Sequence, residues 1–211
     1  MQSPNFEIEK NLAEQLNITY IAGVDEVGRG CLAGPIVAAA VIFDKHVVRG
    51  KIMKEIADSK SLTAKKRKEI DLWIRENCFD FAIGEVDAEE IDQFGIGAAN
   101  VMAFSRALNG LKKCDFAVID GRKFRGLDFQ FACFEKGESK SISIAAASIV
   151  AKVYRDNLMK DNSLIYPEYG FEKHKGYGSE LHYEKVLQFG PSPIHRKTFL
   201  KSIEPKQETL F

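Results

Sequence analysis

Residues Ile36–Phe43 read IVAAAVIF, a run with no polar side chain on either face of an extended chain. A strand that is apolar on both faces belongs inside a sheet covered on two sides, and this restricts the fold more than any other stretch. A preceding strand is expected at Tyr20–Asp25, and Gly28, Gly30, Gly34 and Pro35 enforce a loop between the two. Thr63 is placed to cap a helix running to Asn77, with Ile70, Trp73 and Ile74 on its inner face. Phe79–Val86 alternates like a half-buried strand, and Ala98–Leu111 reads as a helix. Phe116–Asp120 and Phe129–Phe134 read as strands. Ser143–Lys160 is a long alanine-rich helix with Ala145, Ile149, Val153 and Asp156 along one stripe. Strands first, then alternating helices and strands, predict an α/β architecture built on a mixed sheet. Regular periodicity gives way near Asp161, and from Pro167 onward the chain reads as irregular.

A chain of 211 residues, 45% hydrophobic, can bury a sizeable core. Its 30 basic and 30 acidic residues cancel, so bulk charge does not name a partner, although a local basic face remains open. Cys31, Cys78, Cys114 and Cys133 are scattered without short spacings and read as reduced thiols, not a disulfide frame or zinc site. The histidines also lack ligand spacing. The polar, acidic start is not expected to be a signal peptide, and no apolar run is long enough to span a membrane. A soluble cytoplasmic protein is the expectation.

Four acids stand out. Asp25 and Glu26 end the first strand, Asp120 ends another buried strand, and Asp156 lies on the inner stripe of the long helix. Taken singly, an acid at a strand end can cap a turn, and an acid within a helix stripe can pair with an arginine. Taken together they are like charges, which persist side by side only when protonated or bound to cations. Oxygen-only donors favour a hard ion, magnesium or manganese. Two such ions roughly 3.5–4 Å apart can activate water and stabilise the leaving oxygen of a phosphodiester.

Gly28-Arg29-Gly30 follows directly. The stretch Gly28–Ala33 also fits a loose dinucleotide-binding GxGxxA pattern, but Pro35 and a strand follow where that pattern should open a helix. The glycines are better read as letting the backbone approach a sugar-phosphate chain, with Arg29 contacting phosphate; a tight turn with a solvated arginine is the plain alternative.

The blocks GVDEVGRGCLAGP (Gly23–Pro35), DSKSL (Asp58–Leu62), VIDG (Val118–Gly121), AAASIVAKVYRD (Ala145–Asp156) and HKGYGS (His174–Ser179) resemble, in order, type 2 ribonuclease H, ribonuclease HII. The resemblance implies an RNase H-like mixed β-sheet flanked by helices, with a helical C-terminal extension. It implies cleavage of RNA in RNA–DNA hybrids and at single ribonucleotides in duplex DNA, 5′ to the ribonucleotide, leaving a 3′-hydroxyl and a 5′-phosphate. Carried over, the four metal-binding acids fall on Asp25, Glu26, Asp120 and Asp156, holding two Mg2+ or Mn2+ ions. The element reading the 2′-hydroxyl falls on Gly28, Arg29 and Gly30, and the tyrosine stacking on the following sugar on Tyr177. Cys31 stands where proline is common and Ser179 where threonine is usual. The resemblance divides the chain into an N-terminal extension over 1–19, a catalytic domain over 20–161, a helical part over 162–204 and a tail over 205–211. Too few residues precede the first strand for the extra domain of the sister type, ribonuclease HIII. Nothing demands more than a monomer.

Lys60, Lys65, Lys66, Arg67 and Lys68 form a basic run that reads mostly as a solvated helix face. Lys60, inside the DSK block, is the candidate substrate contact, and His174, Lys175, His195 and Arg196 could add phosphate contacts. The final QETLF resembles the QxxLF peptide by which many bacterial replication and repair proteins dock on the DNA sliding clamp, through Gln207, Leu210 and Phe211. Packing of Leu210 and Phe211 on their own chain, or fraying, is the alternative. The rival functions are another nuclease on the same fold, a non-catalytic binder of hybrids, and a nucleotide-binding protein.

Overall fold

The apolar run at Ile36 becomes β2 (Ile36–Ile42), buried at every residue. It pairs antiparallel with β1 (Ile21–Val27), which sets Asp25 opposite Ala39, and with β3 (Asp80–Val86) on its other side. β1 pairs in parallel with β4 (Phe116–Asp120), and β4 with β5 (Phe131–Phe134), giving the order β3-β2-β1-β4-β5. The computed structural model describes residues 4–44, 51–57 and 62–201.

Both faces of β2 are covered, as its composition requires. Val37, Ala39 and Val41 pack against α3 (Ala64–Asn77) through Ile70 and Ile74, and against α5 (Ile142–Ile165) through Ala145 and Ile149. Ile36, Ala38, Ala40 and Ile42 face α4 (Ala88–Asn109), meeting Ala99, Ala103, Phe104 and Ala107. The alanines keep the layers close, and each large side chain fully buried between them contributes about 1.5–3 kcal/mol. Gly23 of β1 marks the closest approach: a Cβ there would lie 2.1 Å from the Ser143 carbonyl carbon in the first turn of α5.

Thr63 caps α3 as expected, its hydroxyl accepting from the Lys66 N–H at 3.2 Å. Two helices were not expected: α1 (Glu7–Leu16) and α2 (Lys51–Ala57). Helix α1 lies within the segment read as an extension and packs Ala13 against Ile21, Val118 and Ile144. Helix α4 begins ten residues before the expected Ala98, behind an Asp87–Glu90 capping box, and kinks at Gly95 (φ 79°, ψ 154°). The stretch that reads as irregular holds α6 (Phe171–His174), α7 (Glu180–Phe189) and α8 (Lys197–Leu200), the helical extension the family resemblance implied. The four cysteines are free thiols, and no described helix is long and apolar enough to cross a membrane.

Candidate active site

Parallel pairing of β1 with β4 puts the carboxyl ends of both strands at one edge, and their acids meet there. Asp25 is 7% exposed. Its Oδ1 accepts from the Glu26 backbone N–H at 2.8 Å, and Ser148 of α5 donates to the same carboxylate. Burial pushes the Asp25 carboxyl well above the usual range, and the charges of Glu26 and Asp120 push the same way. Glu26 is raised by burial and by Asp120, against the pull of Arg29, whose Nη1 lies 4.0 Å away, and a hydrogen bond from Asn100. Asp120 is raised by burial although the Gly137 N–H donates to its Oδ1 at 2.5 Å.

The fourth expected acid, Asp156, is not among the charges that raise these three carboxyls. Asp156 is held by its helix neighbour Lys152, whose Nζ lies 2.7 Å from Oδ1, and its charge is felt by Lys175 and Tyr177. The inward position at this level of α5 belongs to Arg155, which is fully buried. The acid that reaches Asp120 is Glu138, in a 3-10 turn over Gly137–Ser139; it hydrogen-bonds the Asp120 carboxyl and adds like charge. Among the described residues no three acid, histidine or cysteine side chains by themselves close into a coordination shell. The donor set of Asp25, Glu26, Asp120 and Glu138 is oxygen-only and partly desolvated, and its carboxyls oppose one another's ionisation, which suits a hard divalent cation.

The Gly28–Gly30 loop lies beside the acids and is tied down from behind. Arg196, fully buried, donates from Nη2 to the Gly28 and Gly34 carbonyls at 2.7 and 2.8 Å, and from Nη1 to the Arg29 carbonyl at 2.9 Å. Arg155 donates to Pro35, Ala33 and Lys175 carbonyls at 2.8, 3.0 and 2.8 Å. Gly28 has φ 90°, and a Cβ there would sit 2.1 Å from Arg155 Nε, so the loop can close on the guanidinium only with glycine. The Arg29 side chain is exposed, and the space beside Gly30 is open.

Tyr177 belongs to the same unit. The Gly176 carbonyl before it accepts from the Leu32 and Ala33 N–H groups at 2.8 and 3.3 Å, while the Tyr177 ring stays 40% exposed. Lys152 Nζ and Arg155 Cζ stand 5.6 and 5.7 Å from its centroid. Two of the expected phosphate contacts are corrected: His195 and Arg196 are buried at 1% and 0% exposure and cannot face a duplex. His174 Nε2 lies 2.9 Å from the Tyr169 carbonyl, and the Lys175 Nζ donates to the Glu172 carbonyl. Lys66 pairs with Glu55 and Glu69, in keeping with a solvated helix face. Lys60, Gln207, Leu210 and Phe211 lie outside the described residues. Sequence reasoning missed Glu138, Arg155 and Asn100; the run Gly137-Glu138 after a strand that neighbours β4 was the one available signal.

A mixed sheet in this order, with acids at the ends of neighbouring parallel strands and a pinned glycine loop beside them, defines a nuclease of the ribonuclease H fold. The family model described as Ribonuclease HII matches residues 22–202. A ribonuclease HII of Clostridioides difficile is 49% identical over 87% of this chain and 71% of its own. The ribonuclease H2 structure from Pyrococcus horikoshii is 27% identical with a TM-score of 0.74, covering 88% of this chain and 97% of that one. A structure of the PCNA:RNase HII complex from Archaeoglobus fulgidus, 22% identical with a TM-score of 0.72, covers 90% of this chain and 100% of that one and shares the fold. The chain belongs to the ribonuclease HII family. It is a hydrolase that cleaves the RNA strand of RNA–DNA hybrids, and metal dependence is general in this family.

Proposed function

We propose that this enzyme cuts duplex DNA at single embedded ribonucleotides as well as longer hybrids, 5′ to the ribonucleotide, leaving a 3′-hydroxyl and a 5′-phosphate. The observation that carries the reading is the contiguity of the acid group with a loop and a tyrosine that share one hydrogen-bonded frame. Asp25, Glu26, Asp120 and Glu138 are the residues that would hold two divalent ions, magnesium or manganese. Such ions supply positive charge to the phosphate, to the attacking water and to the departing 3′-oxygen. The Glu26 N–H and Ser148 keep the Asp25 carboxylate in one orientation. Gly28, Arg29 and Gly30 present backbone and guanidinium groups to the ribose 2′-hydroxyl and its phosphate, and Tyr177 offers its ring to the next sugar. Lys60 is proposed as a further backbone contact.

The test is cleavage of a duplex with one ribonucleotide beside an all-DNA control, with magnesium, manganese or chelator. A single metal-dependent cut 5′ to the ribonucleotide, absent from the control and from Asp120→Asn, is the expected result; cutting of both duplexes would point to another nuclease activity. Glu138→Gln is expected to lose about a hundredfold or more, and Asp156→Asn to stay within about tenfold. The reverse ranking would return Asp156 to the metal site.

We also propose that Gln207, Leu210 and Phe211 dock on a sliding clamp, a reading supported by the QETLF pattern and by the clamp complex of the Archaeoglobus relative. Deleting Leu210 and Phe211 should abolish clamp pull-down with cleavage intact; no clamp binding by the intact chain would end the idea.

A further inference from the structure

His182 and His195 lie in the C-terminal helical part, away from the acids, buried at 0% and 1% exposure. Their hydrogen bonds fix both protons. The Ser192 backbone N–H donates to His195 Nδ1 at 2.9 Å, so that nitrogen carries no hydrogen. The Ser192 Oγ, 2.7 Å from the same nitrogen, can share its lone pair. A neutral His195 then bears its proton on Nε2, which lies 2.9 Å from His182 Nε2. His182 must accept there, so its own proton is on Nδ1, which lies 2.9 Å from the Tyr177 carbonyl. The chain of donors runs one way from Ser192 to Tyr177.

The surroundings keep both rings neutral. Phe171 meets His182 edge-on with centroids 5.6 Å apart, Tyr169 lies 5.0 Å from His195, and His174 stacks on His182 at 4.2 Å. A second proton would set N–H against N–H: on His182 across the Nε2 pair, and on His195 at Nδ1 against the Ser192 N–H. Tyr177 is held at every backbone polar atom: its N–H donates to the His174 carbonyl, and its carbonyl accepts from both the Ser179 N–H and His182. The residue after His195 is Arg196, which grips the Gly28 and Arg29 carbonyls. The single segment Ser192–Arg196 therefore reaches Tyr177 through His182 with one side chain and holds the glycine loop with the next.

We infer that the His195–His182 relay sets the position of Tyr177 relative to the Gly28–Gly30 loop, making His182 a positioning residue for selection of the RNA-to-DNA junction. This rests on the role proposed above for Tyr177. Two measurements test it. In the full-length protein labelled with 15N-histidine, imidazole shifts near neutral pH should show His195 as the Nε2–H tautomer and His182 as the Nδ1–H tautomer. A proton on His182 Nε2 would overturn the relay, and this readout needs no variant to fold. The second is the ratio of kcat/KM on a single-ribonucleotide duplex to that on a long hybrid. His182→Phe, which fills the site without a donor, should lower the ratio about tenfold, as Tyr177→Ala should, and the double variant should lose no more than either alone. His182→Asn, whose amide can replace Nδ1–H, should retain the ratio within about threefold. A folded His182→Phe with an unchanged ratio, or losses that multiply in the double variant, would refute the inference. An unchanged ratio in Tyr177→Ala alone would instead remove the junction role of Tyr177 itself.

Discussion

Replacing Asp25 by asparagine removes a charge that burial and two acidic neighbours oppose, while an amide can still accept from the Glu26 N–H. In chelator, Asp25→Asn should therefore melt higher than the parent by about 2–4 °C, the change expected for about 1 kcal/mol in a chain of this size. Magnesium should raise the melting temperature of the parent and leave the variant unmoved. A lower melting point in chelator would mean that the ionised Asp25 stabilises the fold. Asp25, Glu26 and Asp120 were legible in the sequence because a strand end followed by glycine fixes where its acid lies. Asp156 was not separable from Glu138. An acid on a helix stripe looks buried until Lys152 one turn back is seen to claim it, and an acid in a three-residue turn has no periodicity to betray its direction. Arg196 was misread as a phosphate contact for a related reason. Its acceptors are carbonyls more than 160 residues away in sequence, and nothing local distinguishes a guanidinium that will be buried from one that will be solvated.

The strands were readable because apolar runs of this composition admit little else, and β2 carried the layer architecture by itself. Two stretches of helix, α1 and the first half of α4, were missed for a common cause. Helix α1 is mostly polar and buries only Glu9 and Ala13, and α4 is broken by Gly95 and followed by Gly97, so the first half of its pattern looks like loop. Gly23 shows how closely two elements must match. Its absent side chain lets β1 lie against the backbone of α5, and that contact sets Ser148 beside Asp25. Gly23→Ala would place a methyl 2.1 Å from the Ser143 carbonyl carbon and 2.3 Å from the Ile144 nitrogen, neither of which can rotate away. The variant should lose roughly 1–3 kcal/mol in urea unfolding, with α5 displaced and cleavage reduced more than the residual folded fraction explains. Unchanged stability would show that the two layers slide freely.

Across the whole molecule, the segments after Pro167 are joined to α5 and the glycine loop by hydrogen bonds, Arg155 to Lys175, Arg196 to the Arg29 carbonyl, and Gly176 to Leu32 and Ala33, and by two small apolar clusters, Tyr169 and Phe171 with Ala33 and Met159, and Val186 and Leu200 with Leu32. That is why periodicity failed there and only the family resemblance implied helices. The buried histidines make this joint sensitive to acid. Burial pushes His182 and His195 from 6.5 down to about 4, and lowers His174 as well. Between those limits the unfolded chain binds protons that the folded chain refuses, so stability is full above about pH 6.5 and falls as the pH drops toward 4. At about 1.4 kcal/mol per pH unit, each ring accounts for roughly 3 kcal/mol over that range if it titrates alone, and less when the neighbouring ring shares the proton. The raised carboxyls of Glu9, Asp25 and Asp120 act in the opposite sense, since the folded chain holds protons there that the unfolded chain has released. The histidine contribution is therefore isolated by difference. Urea midpoints measured from pH 7 to pH 4.5 should fall more steeply for the parent than for His182→Phe/His195→Leu, whose acids are unchanged. Parallel curves would mean that the two rings take up protons in the folded state as readily as in the unfolded one, and that the joint between the C-terminal helices and the glycine loop does not depend on their neutrality.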